Sequence, residues 1–292
     1  MINLIRILLV AFTGFFSFNF FKDYSKAKAN NELEEVSTGK AIATGFLTDF
    51  FDTLGIGSFA PIVAMTKFSK MKVHDKEIPG MLNVSCTIPV VTEALIFTTT
   101  IEVEPVTLIA MLAAAGAGSY IGAGIISKMD EKKIQLVMGL ALLITSIIMF
   151  LSHPWINLMP GGGNEIGLSG VKLVIGVVGN FILGALMTAG IGLYGPCMAL
   201  VYFLGMSPKV AFPIMMGSCA VLMPIASAKF IKEGRFPRKI SLWITIGGVI
   251  GVFLATKVID IMPMDVLKML VVFVILYTSI TMLKPHLSKK QA

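Results

Sequence analysis

The sequence predicts an all-α polytopic membrane protein of two inverted repeats. Each repeat is a broken-helix hairpin plus three transmembrane helices, with an extra N-terminal hydrophobic helix in front. Three observations carry this: near-continuous apolar runs, a helix break that occurs twice at a fixed offset, and an uneven spread of Lys and Arg among the loops.

The apolar runs come first. Hydrophobic residues make up 55% of the 292-residue chain and charged residues only 14%, against about 25% charged in ordinary globular chains. The mean hydropathy is +0.85. Runs of about 20 apolar residues, enough to cross roughly 30 Å of hydrocarbon, fall at 2–21, 41–66, 82–101, 105–127, 132–152, 172–203, 211–231, 239–259 and 265–283. No long polar block separates them, so residues 30–283 read as a single transmembrane domain. Repeat one is 41–152, repeat two is 172–283, and 284–292 is a cytoplasmic tail. Residues 1–29 read as a retained hydrophobic helix. Ala27-Lys-Ala29 leaves a cleaved secretory signal as the alternative.

The break comes next. Gly45–Pro61 begins as an apolar helix with Asp49 and Asp52 three residues apart, hence on one face. It is interrupted at Thr53-Leu-Gly-Ile-Gly57, where Gly55 and Gly57 free the backbone on either side of Ile56. It restarts near Pro61, a residue suited to a first helical turn. The same pattern returns 135 residues on as Thr188-Ala-Gly-Ile-Gly-Leu-Tyr-Gly-Pro196, with five of nine positions identical to Thr53–Pro61. Pro89 and Pro224 keep that offset, as do Asn83 and Ser218.

Loop charges then set the topology. If every segment crossed once, the basic loops would fall on both sides. If 41–66 and 172–203 are hairpins that enter and leave on one side, loops 22–40, 67–80, 128–133, 229–239 and 284–292 are all cytoplasmic. They hold 4, 4, 3, 5 and 3 Lys/Arg, against only Lys172, Lys209, Lys257 and Lys268 outside, beyond the N-terminal Arg6. That is the asymmetry expected of a multi-pass protein of the plasma membrane with a cytoplasmic C-terminus. An odd number of crossings per repeat turns the second copy upside down. The net charge of +7 is therefore a topology signal, and nucleic acid is excluded as a partner.

Irregular backbone at membrane depth survives only where protein or a watery cavity surrounds it. Gly55-Ile56-Gly57 and Gly190-Ile191-Gly192 are thus expected to face each other, with helix N-termini near Pro61 and Pro196 offering N–H groups and a positive dipole end to an anion. Thr53, Ser58 and Thr188 add hydroxyls, and Asn83, Ser85, Thr87 and Ser218 are second-choice lining residues. Asp49, Asp52 and Glu93 are the carboxylates clearly inside apolar segments, where an acid is costly and marks an ion or proton path. They are assigned the coupling H⁺ or Na⁺. Close helix packing by the Gly/Pro pairs, and simple hydration of the aspartates, are the blander alternatives.

The Gly45–Pro61 block, its echo at 184–196 and the duplicated hydropathy resemble the sulfite exporter TauE/SafE family of membrane transporters, over roughly residues 41–283. The resemblance implies transport of a small sulfur-containing or organic anion. Hydrolase and phosphate-loop signatures are missing, no metal site or cofactor is expected, and Cys86, Cys197 and Cys219 read as buried thiols. A non-enzymatic secondary transporter follows, with a small anion, H⁺ or Na⁺ and the lipid bilayer as partners. A homo-oligomer stays open. An anion channel, or a cation exchanger centred on the carboxylates, is the alternative.

Overall fold

The structure, a computed structural model, describes residues 2–74, 77–126, 131–151, 153–156, 158, 163–187 and 192–287. These residues are helical throughout, apart from connections and one isolated bridge between Glu165 and Met206. The helices are α1 Ile2–Ala29, α2 Thr38–Thr53, α3 Phe59–Phe68, α4 Ile78–Thr100, α5 Pro105–Ile126, α6 Glu131–Leu151, α7 Gly170–Met187, α8 Tyr194–Phe203, α9 Ala211–Glu233, α10 Arg238–Ile261 and α11 Met264–Leu287. After α1 the order repeats: a short broken pair, then three long helices, then the same again. Six of the described helices are long and apolar enough to cross a membrane. The protein is multi-pass.

The helix ends follow local chemistry. α2 stops in a Schellman arrangement: Gly55 N–H donates to Asp52 O at 2.7 Å and Ile56 N–H to Phe51 O at 3.1 Å, with Gly55 at φ 97°. A left-handed Gly57 follows (φ 88°), then Ser58 precedes α3. α8 ends the same way at Gly205 and α9 at Gly234.

Two compact units form, each drawn from both halves of the chain: Met1–Phe97 with Cys219–Asp260, and Thr98–Ser218 with Ile261–Ala292. In unit 1, α10 lies against α2 with backbones nearly touching. A Cβ added at Gly45 would strike the Ile244 carbonyl, and one at Gly247 or Gly251 would strike the carbonyl of Ile42 or Phe46. In unit 2, α5 lies against α7 in the same manner, Gly118 on the Phe181 carbonyl and Gly184 on the Ala115 carbonyl. Small residues permit this approach, and in a bilayer such packing, rather than escape from water, holds helices together.

Unit 1 also ties down α1. Phe16 and Phe20 are buried with Val84, Ile231 and Phe236, and the Phe20 and Phe236 rings sit 6.0 Å apart. Arg238 Nε donates to Asp23 Oδ2 at 2.7 Å, and Glu34 accepts the first amides of α10, Arg238 N and Lys239 N, at 2.7 Å each.

Candidate functional site

Each broken pair folds back on itself. Lys40, near the start of α2, donates from Nζ to Ser69 O just past α3, at 3.0 Å. A straight run through α2 and α3 would hold those residues about 40 Å apart at 1.5 Å per residue. In unit 2 a Cβ at Gly205, just past α8, would lie 3.4 Å from Lys172 Nζ at the start of α7. Both pairs are therefore hairpins, each with a lysine at the carbonyl end of its second half-helix, where the dipole favours a cation.

In unit 1 the break lies beside a buried polar cluster. Asp49, Asp52, Thr53 and Glu93 are all 2% exposed or less, as are Thr48 and Ser85. Asp49 points at α10, where Gly248 leaves room: a Cβ there would collide with Asp49 Oδ2 and crowd Pro89 Cγ. Both Asp49 carboxylate oxygens are buried without a hydrogen-bond partner among the described residues. The Thr53 hydroxyl lies 2.7 Å from Asp49 O and 2.7 Å from Glu93 Oε1. Ser58 Oγ donates to Cys86 Sγ at 3.5 Å, which brings the buried Cys86 of α4 to the residue just before the restart. Ile62 N–H donates to Ser58 O at 2.8 Å, closing the first turn of α3. The Phe59 and Ala60 amides precede any intrahelical acceptor and Pro61 has no N–H, so this end presents two amides and a positive dipole end.

The remaining sequence candidates divide. Ile56 and Gly57 are half-buried at the break. Asn83 is half-buried on α4 and spends its amide on Pro79 O. Thr87 is 2.9 Å from Ser227 on α9, and Ser85 donates to Met81 O while its own carbonyl accepts from Thr245.

In unit 2, Gly192 is exposed and Pro196 buried in the first turn of α8, whose Cys197 N–H donates to Leu193 O at 2.9 Å. Thr188, Gly190 and Ile191 lie outside the described residues, and with them the expected meeting of the two breaks. Ser218 is fully buried, donating to Ile214 O at 2.7 Å and accepting from Asn180 Nδ2 at 2.9 Å. Asn180 Nδ2 also donates to Met111 O at 2.7 Å, and Asn180 Oδ1 is left without a partner. Sequence reading missed Asn180. Its one signal was an amide in the middle of an otherwise apolar segment.

The buried carboxylates among the described residues, Asp49, Asp52 and Glu93, all belong to unit 1. Among the described residues no three His, Cys, Asp or Glu side chains are placed to hold a metal ion. A broken helix pair, with a helix N-terminus on one side and buried carboxylates on the other, thus lies inside a multi-pass helical membrane protein. Comparison with known families agrees: the profile described as "Sulfite exporter TauE/SafE" matches residues 2–149 and 172–292. The chain belongs to this family of membrane transporters. Comparison with curated proteins and with solved structures returned no match.

Proposed function

We propose that this protein is a secondary transporter for a small anion, a sulfur-containing oxyanion or an organosulfonate, coupled to H⁺ or Na⁺ and working in the plasma membrane with its C-terminus cytoplasmic. The single observation that carries the reading is the pairing, at one break, of a free helix end with a buried, unpartnered Asp49. An anion suits the α3 end, where Ser58 and the Phe59 and Ala60 amides supply donors and no Arg or Lys is needed. The Gly55 and Ile56 amides, spent on closing α2, hold the Gly55–Gly57 turn in place. In unit 2 the α8 end, with Gly192 and Pro196, repeats that chemistry. Asp49, Asp52 and Glu93 would repel an anion while ionised. A cation on them therefore favours anion entry, which is the linkage a coupled carrier needs.

Purified protein in a thermal-shift screen against sulfite, thiosulfate, small sulfonates and carboxylates, with and without Na⁺, tests the reading. A sulfur oxyanion or sulfonate should raise the unfolding temperature, and saturable flux of it should follow in proteoliposomes. Stabilisation by Na⁺ alone, with no anion effective, would instead favour a cation exchanger, the second reading that the unpartnered Asp49 supports. Non-saturating flux would favour a channel.

A further inference from the structure

Thr53 sits between two acceptors with one proton to give. Its hydroxyl oxygen is 2.7 Å from the backbone carbonyl of Asp49, one turn earlier in α2, and 2.7 Å from Glu93 Oε1 on α4. All three residues are buried. A hydroxyl carries one donor and two acceptor lone pairs, so the two short contacts cannot both be donations from Thr53. Two proton arrangements satisfy the same heavy-atom positions. In one, Glu93 is protonated, its carboxyl O–H donates to Thr53 Oγ1, and the Thr53 O–H donates to Asp49 O. In the other, Glu93 is a carboxylate, the Thr53 O–H has rotated to it, and Asp49 O has lost that donor.

We propose that Thr53 is a positioning residue that ties the protonation of Glu93 to the last turn of α2, and hence to the break at Gly55–Gly57. Only one bond changes chemically. The Glu93 O–H is broken or formed, with the proton passing to or from water, while the Thr53 proton stays on its own oxygen and changes partner. Each arrangement keeps Thr53 satisfied, so the exchange leaves no orphaned donor. What it changes is a carbonyl on the final turn of α2, four residues before the break begins. The proposal rests on the transporter reading for its use and makes the coupling ion a proton.

Other ionisable groups around Glu93 are Asp49 and Asp52 on α2 and Cys86 on α4 itself. Along the other helices of unit 1, the first half of α1 carries Arg6, the first half of α9 carries Cys219, and α3 carries Lys67 in its last turn. α10 carries none between Lys239 and Lys257. A carboxylate accepts a hydrogen bond more strongly than a neutral carboxyl group donates one to a hydroxyl. Thr53 therefore favours the ionised form of Glu93, and its removal should push the titration up.

The test is an infrared titration of the full-length protein in lipid, following the carbonyl stretch of protonated carboxyl groups. Wild type should show a titrating band that disappears in Glu93→Gln and persists in Asp49→Asn and Asp52→Asn. Thr53→Val should move its midpoint upward by about one pH unit, as the loss of roughly one charge-assisted hydrogen bond implies. Thr53→Ser should restore it. If Thr53→Val is not monodisperse, Thr53→Ala takes its place. The proposal is overturned if no band is lost in Glu93→Gln, or if the valine and serine variants titrate alike. Sulfite flux in proteoliposomes, read as a pH profile, should shift in parallel. If wild type moves no sulfite, the anion assignment fails while the infrared titration still decides the role of Thr53.

Discussion

In unit 1 the half-helix before the break carries Asp49 and Asp52 and faces Glu93. At the positions 135 residues further on, the chain has Gly184, Met187 and Ala228. The interfaces beneath are built alike, with a hairpin's first half-helix pressed on one long helix, α2 on α10 and α7 on α5. At the level of Asp49 and its counterpart Gly184, the room is made from opposite sides. In unit 1 the glycine is on the long helix, Gly248, and the hairpin uses the space for a carboxylate. In unit 2 the glycine is on the hairpin, Gly184, and the long helix closes on it with the Ala115 backbone, leaving no space for an acid. Unit 2 places its buried polar side chain one turn earlier, as the neutral amide Asn180. Both units interrupt a helix; among the described residues the buried carboxylates belong to one.

The largest test of that comparison attacks the shared interface. Gly45→Val in unit 1 and Gly118→Val in unit 2 each drive a side chain into a backbone carbonyl that no rotamer change can move. Each should cost about 3 kcal/mol or more, read as lost monodisperse protein and a lower unfolding temperature in detergent. Equal damage from both is expected. A benign Gly118→Val would break the parallel.

Asp49→Asn and Asn180→Ala should then separate the units. The first removes the titratable group with little change of shape and, on the proposed coupling, should lower proton- or Na⁺-driven sulfite flux at least tenfold, about 1.4 kcal/mol. Asn180→Ala should instead cost about 1–3 kcal/mol of stability, by leaving Met111 O and Ser218 Oγ short of a donor. It should leave the pH profile of transport where it was.

A smaller effect sits at the start of α5. Partial burial works against ionisation of Glu104, yet the amides of Val106 and Thr107 and the Thr107 hydroxyl, at 2.6–2.9 Å, hold its carboxyl below the usual carboxylate range. A lowered folded value means the cap contributes fully above the unfolded value and is lost as pH falls through the folded one. Glu104→Ala should cost about 1 kcal/mol at neutral pH. Its difference from wild type should vanish in acid, as followed by thermal unfolding across a pH series. The smallest effect is expected at the hairpin ends. Lys40→Met and Lys172→Met each remove a cation from a helix C-terminus, at about 0.3–1 kcal/mol, a loss that added salt should mask.

Lys172 also bears on how much could be read in advance. The loop-charge tally leaves it among the four bases outside. Its place beside Gly205 supplies a local reason for a lysine there. The breaks were legible because Gly55 and Gly57 need positive φ and a proline follows, and both signals are local. The Schellman ends at Gly205 and Gly234 are of the same kind, whereas the one at Lys70, a lysine with φ 54°, gives no local signal. Asp49, Asp52 and Glu93 were legible as acids in apolar runs. Their surroundings were not, because Gly248 lies 199 residues from Asp49 and the Thr53–Glu93 contact spans 40.

Sequence by itself determined the class of molecule: where the helices run, where two of them break, which acids are buried and which family the chain resembles. Those follow from hydropathy over about 20 residues and from the φ preferences of glycine and proline, both properties of short stretches. Tertiary structure alone decided that α10 serves the first hairpin and α5 the second, that Asp49 is left without a partner, and that the Thr53 hydroxyl stands between two acceptor oxygens. These depend on which backbones approach closely, and that is set by packing between segments far apart in the chain.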